Sequence, residues 1–361
     1  MTLHIKGLED NTLFLTVENI PSGRIFHLRQ SADGVTFEPL SPPLDIWDTK
    51  TQPYAIPVDS TSNSALLFQA YEGATPNPAL DQFVLIPTGS FQMGDDRREG
   101  FEVGGHWVEE PVHSVYVSAF SMARYEVTKG LWDEVRSWGL TNGYTDLGEG
   151  GGKAPDHPVH SISWEDTVQW CNARSEKEGL TPCYRVSGAV YRTGDSNSVS
   201  CDWDADGYRL PTEAEWEKAA RGGLTGKRFP WGDTISHAHA NFANFGGESY
   251  QTGTTGYHPA YNDGVIPYTS PVVDFAPNGY GLNDMVGNVS DWCWDWWDAA
   301  YYVTAPVTDP LGPATGSSRV TRGGRWASAA RAMRCANRQS SDPSAGANFY
   351  TGFRLARTSV P

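Results

Sequence analysis

The sequence lacks any long apolar run, which argues against a membrane protein with spanning helices. No stretch approaches the 18 consecutive apolar residues that indicate a membrane-spanning helix. The first twenty residues show neither a basic start followed by a long apolar run nor a small-residue cleavage site. We therefore expect a protein without a membrane-spanning helix. The first twenty residues do not predict an export signal.

Basic residues are also scarce. The chain has 27 Lys and Arg against 43 Asp and Glu, which gives a formal net charge of −16 at pH 7. Such an excess of negative charge repels phosphate backbones. The composition therefore disfavours nucleic acid as a partner.

Cysteine is limited to five residues, and none of them forms the Cys-x-x-Cys spacing typical of a zinc site. Cys183 and Cys201 flank a polar stretch that we interpret as a long hairpin. A disulfide between them would close about 19 residues and contribute on the order of 3 kcal/mol. It would favour an extracellular or cell-surface location, whereas the missing export signal argues against one. The compartment therefore stays open.

Glycine and aromatic residues, by contrast, are plentiful. The 38 Gly and 24 Pro predict many turns, and the 14 Trp, 16 Tyr and 14 Phe predict a folded, loop-rich protein. A length of 361 residues favours two domains. Short β-type runs separated by turn signals predict a small β-rich module over residues 1–72, and residues 73–80 resemble a linker. A larger domain then follows over residues 81–361.

Capping patterns predict three helices in the larger domain. Each begins after a Ser or Thr suited to the N-cap and ends before a glycine. The predicted helices run from Thr128 to Trp138 before Gly139, from Ser163 to Glu178 before Gly179, and from Thr212 to about Arg221 before Gly222.

Seven motifs occur in the larger domain in a fixed order. They are residues 83–94 (FVLIPTGSFQMG), 125–128 (YEVT), 208–217 (YRLPTEAEWE), 229–232 (FPWG), 278–289 (NGYGL with MVGNV), 322–324 (RGG) and 352–356 (GFRLA). Together they resemble the formylglycine-generating enzyme family, also called sulfatase-modifying factors, over roughly residues 82–357. The resemblance implies an irregular α+β fold related to C-type lectins, preceded here by the small β module.

The family's active site is altered in this sequence. Its enzymes oxidise a cysteine of a client sulfatase with a cysteine pair, copper and oxygen. Here the position of the first catalytic cysteine carries Ser328, the family serine position carries Arg325, and the family tryptophan position carries Ser290. The second cysteine falls in a shortened segment. A hydroxyl cannot hold Cu(I) as a thiolate does. We therefore do not expect copper.

The resemblance also implies two structural calcium sites. Their ligands would be oxygen atoms, side-chain or backbone, as calcium prefers. The first set is Asn241, Phe242, Asp263 and Val265, and the second is Asp284, Gly287, Val289 and Asp291. In the second set Asp replaces the usual Asn and Glu. Turn-capping carboxylates without a metal are the alternative.

The C-terminal segment alternates framework-like blocks with short runs of small or aromatic residues. The latter resemble the variable positions of retroelement-diversified proteins, which use this lectin-like fold as a ligand platform. The candidate contact residues are Trp326, Ala327, Ser328, Ala329, Ala332, Gln339, Ser340, Ser341, Ala345, Ala347, Asn348, Phe349 and Tyr350. Replacement of adenines in Asn codons yields Ala, Ser, Phe or Tyr, but it cannot yield Gln339. The alternative is that the aromatic residues belong to the core.

These observations favour a non-enzymatic, calcium-stabilised protein that binds a protein or other macromolecular ligand through its C-terminal surface. The alternative hypothesis is an enzyme of altered chemistry that uses Arg325, Ser328 and nearby histidines in the old pocket. A purely structural module of an appendage or envelope is a third interpretation.

Overall fold

The chain forms two compact units, Met1–Gln82 and Phe83–Pro361. The computed structural model describes residues 83–344 and 349–358 in full, and within the first 82 residues it describes the backbone of seven strands. The linker predicted at residues 73–80 lies outside the described residues.

The first unit contains short antiparallel strands. They are β1 (Thr2–Glu9), β2 (Thr12–Glu18), β3 (Phe26–Ser31), β4 (Glu38–Pro39), β5 (Asp45–Ile46), β6 (Tyr54–Pro57) and β7 (Leu67–Glu72). Strands β1, β2 and β6 form one sheet, and β3 pairs with β4, β5 and β7 in another.

The second unit combines short helices with small sheets. Its strands are β8 (Phe83–Ile86), β9 (Gly89–Met93), β10 (Glu102–Val103), β11 (His106–Trp107), β12 (His113–Val117), β13 (Phe120–Ala123), β14 (Tyr184–Val186), β15 (Ala189–Val190), β16 (Ser200–Cys201), β17 (Ser290–Trp296), β18 (Arg319–Arg322), β19 (Gln339–Ser341), β20 (Thr351–Gly352) and β21 (Ala356–Thr358). Its helices are α1 (Lys129–Gly139), α2 (Trp164–Lys177), α3 (Glu213–Arg221) and α4 (Tyr301–Thr304), with a 3₁₀ turn at Ala330–Met333. None of the described helices has the length and apolar character needed to cross a bilayer.

One sheet of the second unit gathers the C-terminal part of the chain. Its strand order is β19-β18-β17-β20, with β17 parallel to β20 and antiparallel to β18. Strand β21 pairs with β13 in a separate sheet. The segment between β18 and β20 is therefore anchored at both ends.

The helices begin at the residues that the capping patterns predict. Thr212 accepts a hydrogen bond from the Glu215 backbone, while the Glu215 carboxylate accepts one from the Thr212 backbone. Ser163 and Asp166 form the same reciprocal pair at α2. At the end of α3, Gly222 has a φ of 55°, the left-handed conformation that glycine adopts without strain.

Gly139 differs from its prediction as a helix stop, because it lies inside the last turn of α1. A Cβ added there would stand 3.1 Å from Leu147 Cδ1 and 3.5 Å from Ala173 Cβ. The glycine therefore serves the close packing of α1 against α2. The same interface stacks Trp132 on Trp170 with ring centroids 5.6 Å apart.

Candidate functional site

Buried ion pairs fix the framework of the C-terminal segment. The guanidinium of Arg338 donates to both carboxylate oxygens of Glu213, with Nε to Oε1 at 2.7 Å and Nη2 to Oε2 at 2.9 Å. Arg334 makes a similar two-pronged contact with Glu109. All four side chains are buried, so these two-pronged contacts fix the orientation of Arg334 and of Arg338.

A third carboxylate joins α3 to strand β18. Glu217 accepts from Arg221 of its own helix through Oε1 and from Arg322 through Oε2. Burial alone raises the pKa of Glu217, but the two guanidinium groups outweigh it and hold that pKa below its usual value. Glu217 therefore stays ionised within the core.

Most of the described candidate contact residues reach the surface between these buried blocks. Phe349 is 48% exposed. Ser340 is exposed as well, and the remaining members of this group are half-buried: Ala327, Ala329, Gln339, Ser341 and Tyr350. The surface that these residues form together with Arg325 is called the C-terminal face below.

Three candidate contact residues are buried instead, which corrects their assignment to the surface. Trp326 is only 2% exposed, and its ring packs against Tyr257, Tyr268 and Tyr350 with centroids 5.2–5.7 Å apart. Ser328 and Ala332 are also buried. The loops that supply Tyr257 and Tyr268 cover this tryptophan, so it supports the face from below.

The remaining candidates, Ala345, Ala347 and Asn348, lie outside the described residues. Their neighbours on both sides are described, and the Phe349 carbonyl accepts a hydrogen bond from Trp326 Nε1 at 3.2 Å.

The altered catalytic positions contain no acid–base pair in the described part of the chain. Ser290 donates from its hydroxyl to the Gly324 carbonyl at 3.0 Å. No histidine or carboxylate hydrogen-bonds to the Ser328 hydroxyl among those residues, whereas activation of a serine nucleophile needs such a base. Arg325 lies with its guanidinium carbon 4.2 Å from the Tyr350 ring centroid.

The second predicted calcium set shows orphaned carboxylate oxygens. Asp284 Oδ2 accepts from the Val273 backbone, and Asp291 Oδ2 accepts from Arg354 and Trp216. The other oxygen of each carboxylate is buried without a partner. Burial raises the pKa of Asp284 to about 7. These residues fit a calcium ion, because hard oxygen atoms without donors are its preferred ligands.

Glu126, which the sequence reasoning missed, adds negative charge to this set. It is fully buried, and its carboxylate accepts from Asn288 Nδ2 at 3.1 Å. Burial, and then the nearby Asp284 and Asp291, raise its pKa well above the usual value. The only sequence signal was its place in the YEVT motif. Three buried carboxylates thus lie near one arginine, Arg354.

The first predicted calcium set contains its own cation. The ammonium of Lys153 lies 2.7 Å from Asp263 Oδ2 and 3.1 Å from the Val265 carbonyl oxygen. The Phe242 carbonyl accepts from a histidine, while Asn241 Oδ1 is buried and unpartnered. This set therefore does not fit calcium while Lys153 stays in place.

No three or more His, Cys, Asp or Glu side chains converge as a metal-binding group within residues 83–344 and 349–358. The second set would therefore depend on the Gly287 and Val289 carbonyls as well as on its carboxylates. Calcium stays a prediction.

The two cysteines of the predicted disulfide lie side by side as free thiols. A hydrogen bond from Cys201 lowers the pKa of the Cys183 thiol, which places the two groups in contact. Strand pairing aligns Cys201 with Tyr184, next to Cys183 in the chain. Their disulfide therefore also stays a prediction.

Comparison with known proteins identifies the family that this chain resembles. Residues 69–359 match the model of the sulfatase-modifying factor enzyme 1-like domain. The formylglycine-generating enzyme of Thermomonospora curvata is 35% identical over 303 residues, which cover 78% of this chain and 95% of that protein.

Two solved structures are also similar. Treponema denticola variable protein 1 has a TM-score of 0.59 and 29% identity, covering 77% of this chain and 95% of that one. PvdO from Pseudomonas aeruginosa has a TM-score of 0.55 and 27% identity, covering 76% and 94%. The chain therefore belongs to the family of sulfatase-modifying factor enzyme 1-like domains.

Proposed function

We propose that this protein is a non-enzymatic binding protein that recognises a protein or other macromolecular ligand through the C-terminal face. One observation carries the proposal. The framework arginines Arg322, Arg334 and Arg338 are buried in ion pairs with Glu217, Glu109 and Glu213, while most described residues between the framework blocks reach the surface. A rigid scaffold with small and aromatic surface residues is the chemistry that binding loops use.

The fold that we assign to this function is a C-type-lectin-like domain stabilised by calcium at the second predicted set. The orphaned oxygens of Asp284 and Asp291, close to the buried Glu126, support that ion. Residues 1–72 would form a separate small β module without chemistry of its own.

The C-terminal face would be diversified by a retroelement. Similarity to the Treponema denticola variable protein supports this part of the proposal. Ala, Ser, Phe and Tyr at the exposed positions are also residues that adenine replacement in Asn codons can produce.

The test is to sequence the last 120 or so bases of the gene from many cells of its source population. We expect substitutions to concentrate at residues 327–329, 332, 339–341, 345 and 347–350. The framework arginines, which lie in the same amplified segment, serve as the internal control and should be invariant. A uniform segment would overturn diversification. Stoichiometric Cu(I) binding with oxygen consumption would overturn the non-enzymatic assignment.

A further inference from the structure

Arg325 differs from the four framework arginines of the C-terminal part of the chain. Arg322, Arg334, Arg338 and Arg354 are fully buried, and each makes an ion pair with a carboxylate. Arg325 is half-buried, and within residues 83–344 and 349–358 its guanidinium contacts no carboxylate. Its Nε is buried without a hydrogen-bond partner.

Such an arrangement is costly unless a ligand completes it. The guanidinium lies over the Tyr350 ring, which removes water from one of its faces and provides a cation–π contact. Burial lowers the pKa of Arg325, and the opposing effect of Tyr350 offsets only part of this desolvation. An unpaired, partly desolvated guanidinium gains more from an incoming anion than a fully hydrated one does.

The residues around Arg325 further restrict the chemistry of the ligand. Phe349 is 48% exposed beside Tyr350, and Ala327 and Ala329 are half-buried with little bulk. Among its described residues, the C-terminal face therefore offers one cation, Arg325, on the ring of Tyr350, and an exposed apolar side chain at the adjoining Phe349. Lys153 does not add a second free charge, because it is paired with Asp263.

Resting on the proposed function, we propose that Arg325 binds a carboxylate of the partner protein, next to an apolar side chain that packs on Phe349. The planar guanidinium matches a carboxylate with two parallel hydrogen bonds. A phosphate carries more charge than a carboxylate and is bound best by several cations, whereas this site offers one guanidinium. An acidic protein segment is therefore the occupant.

The first experiment uses ¹⁵N-arginine-labelled full-length protein. The Nε–H signal of Arg325 is assigned by its loss in Arg325→Gln, and benzoate, benzyl alcohol and inorganic phosphate are titrated separately. We expect a saturable shift with benzoate and at least about tenfold weaker binding of the neutral benzyl alcohol, because a charged hydrogen bond is lost. Absence of a saturable benzoate shift, or tighter binding of phosphate, would overturn the proposal.

The matched control is Arg331→Gln, since Arg331 is exposed and belongs to the same segment. Measured by calorimetry, benzoate binding should weaken about tenfold or more in Arg325→Gln, whereas Arg331→Gln should leave it unchanged. Thermal unfolding of Arg325→Gln should occur at or above the wild-type temperature, because the variant removes an unpaired, partly buried charge. Equal benzoate binding by both variants would contradict the assignment to Arg325.

Peptides selected by phage display against the wild-type protein separate this inference from the proposed function. We expect enrichment of Asp or Glu next to apolar residues, and loss of binding in both Phe349→Ala and Arg325→Gln. Peptides that depend on Phe349 but not on Arg325 would support the C-terminal face and overturn the carboxylate. A benzoate shift at Arg325 in a protein whose gene is uniform would support the carboxylate and overturn diversification alone.

Discussion

At the scale of single residues, Lys153 is the feature that argues against the first of the two predicted calcium sets. Its ammonium contacts Asp263 and Val265, two members of the first set. In the second set Arg354 is paired with Asp291 through Oδ2 only, and Asp284 and Asp291 each keep an unpartnered oxygen.

We therefore expect calcium titration by calorimetry to find a single site per chain. Asp284→Ala should abolish this binding, together with any rise in the unfolding temperature on addition of calcium, because binding to the native state alone stabilises it. Lys153→Met should raise the count to two, since it frees the oxygens of the first set. Two sites in the wild-type protein would contradict the role given to Lys153.

Sequence reasoning could not identify this lysine. The contact joins residues 112 positions apart, and the loop that carries Lys153 has no periodic pattern. Trp326 escaped prediction for a similar reason, because the tyrosines that cover it come from a loop distant in the sequence. The start of α3, by contrast, depends on Thr212 and Glu215 alone. Such a local pattern can be predicted from the sequence.

At the scale of elements, helix α3 is the link between the core and the C-terminal segment. Three of its carboxylates, on Glu213, Glu215 and Glu217, form ion pairs with arginines. Two of those partners, Arg322 and Arg338, belong to the segment that leads to the C-terminal face. The family motif YRLPTEAEWE thus contains the anchor for strand β18.

Glu217→Gln should lower the free energy of unfolding by about 3 to 5 kcal/mol, because it leaves Arg221 and Arg322 buried without their shared counter-charge. Glu134→Gln is the matched control. It breaks an exposed pair with Lys177 and should change stability by less than about 1 kcal/mol. Chemical denaturation measures both, and similar losses in the two variants would contradict the anchoring role.

The pH dependence of the same carboxylate has a defined sign. The folded-state pKa of Glu217 lies below its usual value, so the unfolded chain binds this proton more readily. The stability that it contributes is present above the unfolded pKa of about 4.3 and is lost as the pH falls through the folded pKa. The difference between wild type and Glu217→Gln should therefore shrink below about pH 4. A constant difference down to pH 3 would contradict this.

At the scale of the whole molecule, the residues of the C-terminal segment that stabilise the fold differ from those to which we assign the proposed recognition. The framework arginines are fully buried and ion-paired, while Ser340 and Phe349 are exposed. Strands β18 and β20 hold both ends of the segment in the same sheet. The C-terminal face is therefore a surface on a fixed support.

Substitutions of exposed residues in the C-terminal face should affect stability much less than substitutions of the buried framework arginines. Ser340→Tyr and Phe349→Ala should change the free energy of unfolding by no more than about 0.5 kcal/mol, as exposed positions usually do. Arg338→Gln should lower it by about 3 to 5 kcal/mol, because Glu213 loses the closer of its two buried arginine partners. A loss of more than about 2 kcal/mol in Phe349→Ala would show that the face supports the core.

The buried pairs that join Arg334 to Glu109 and Arg338 to Glu213 also determine how this protein can evolve. Each pair joins two residues more than 120 positions apart, so a mutation of either one alone leaves a buried charge unpaired and destabilises the fold. The exposed residues Ser340 and Phe349 of the C-terminal face belong to no such buried ion pair. If the face is diversified as proposed, its sequence can therefore change without loss of the fold, and each new surface would start from a stable molecule.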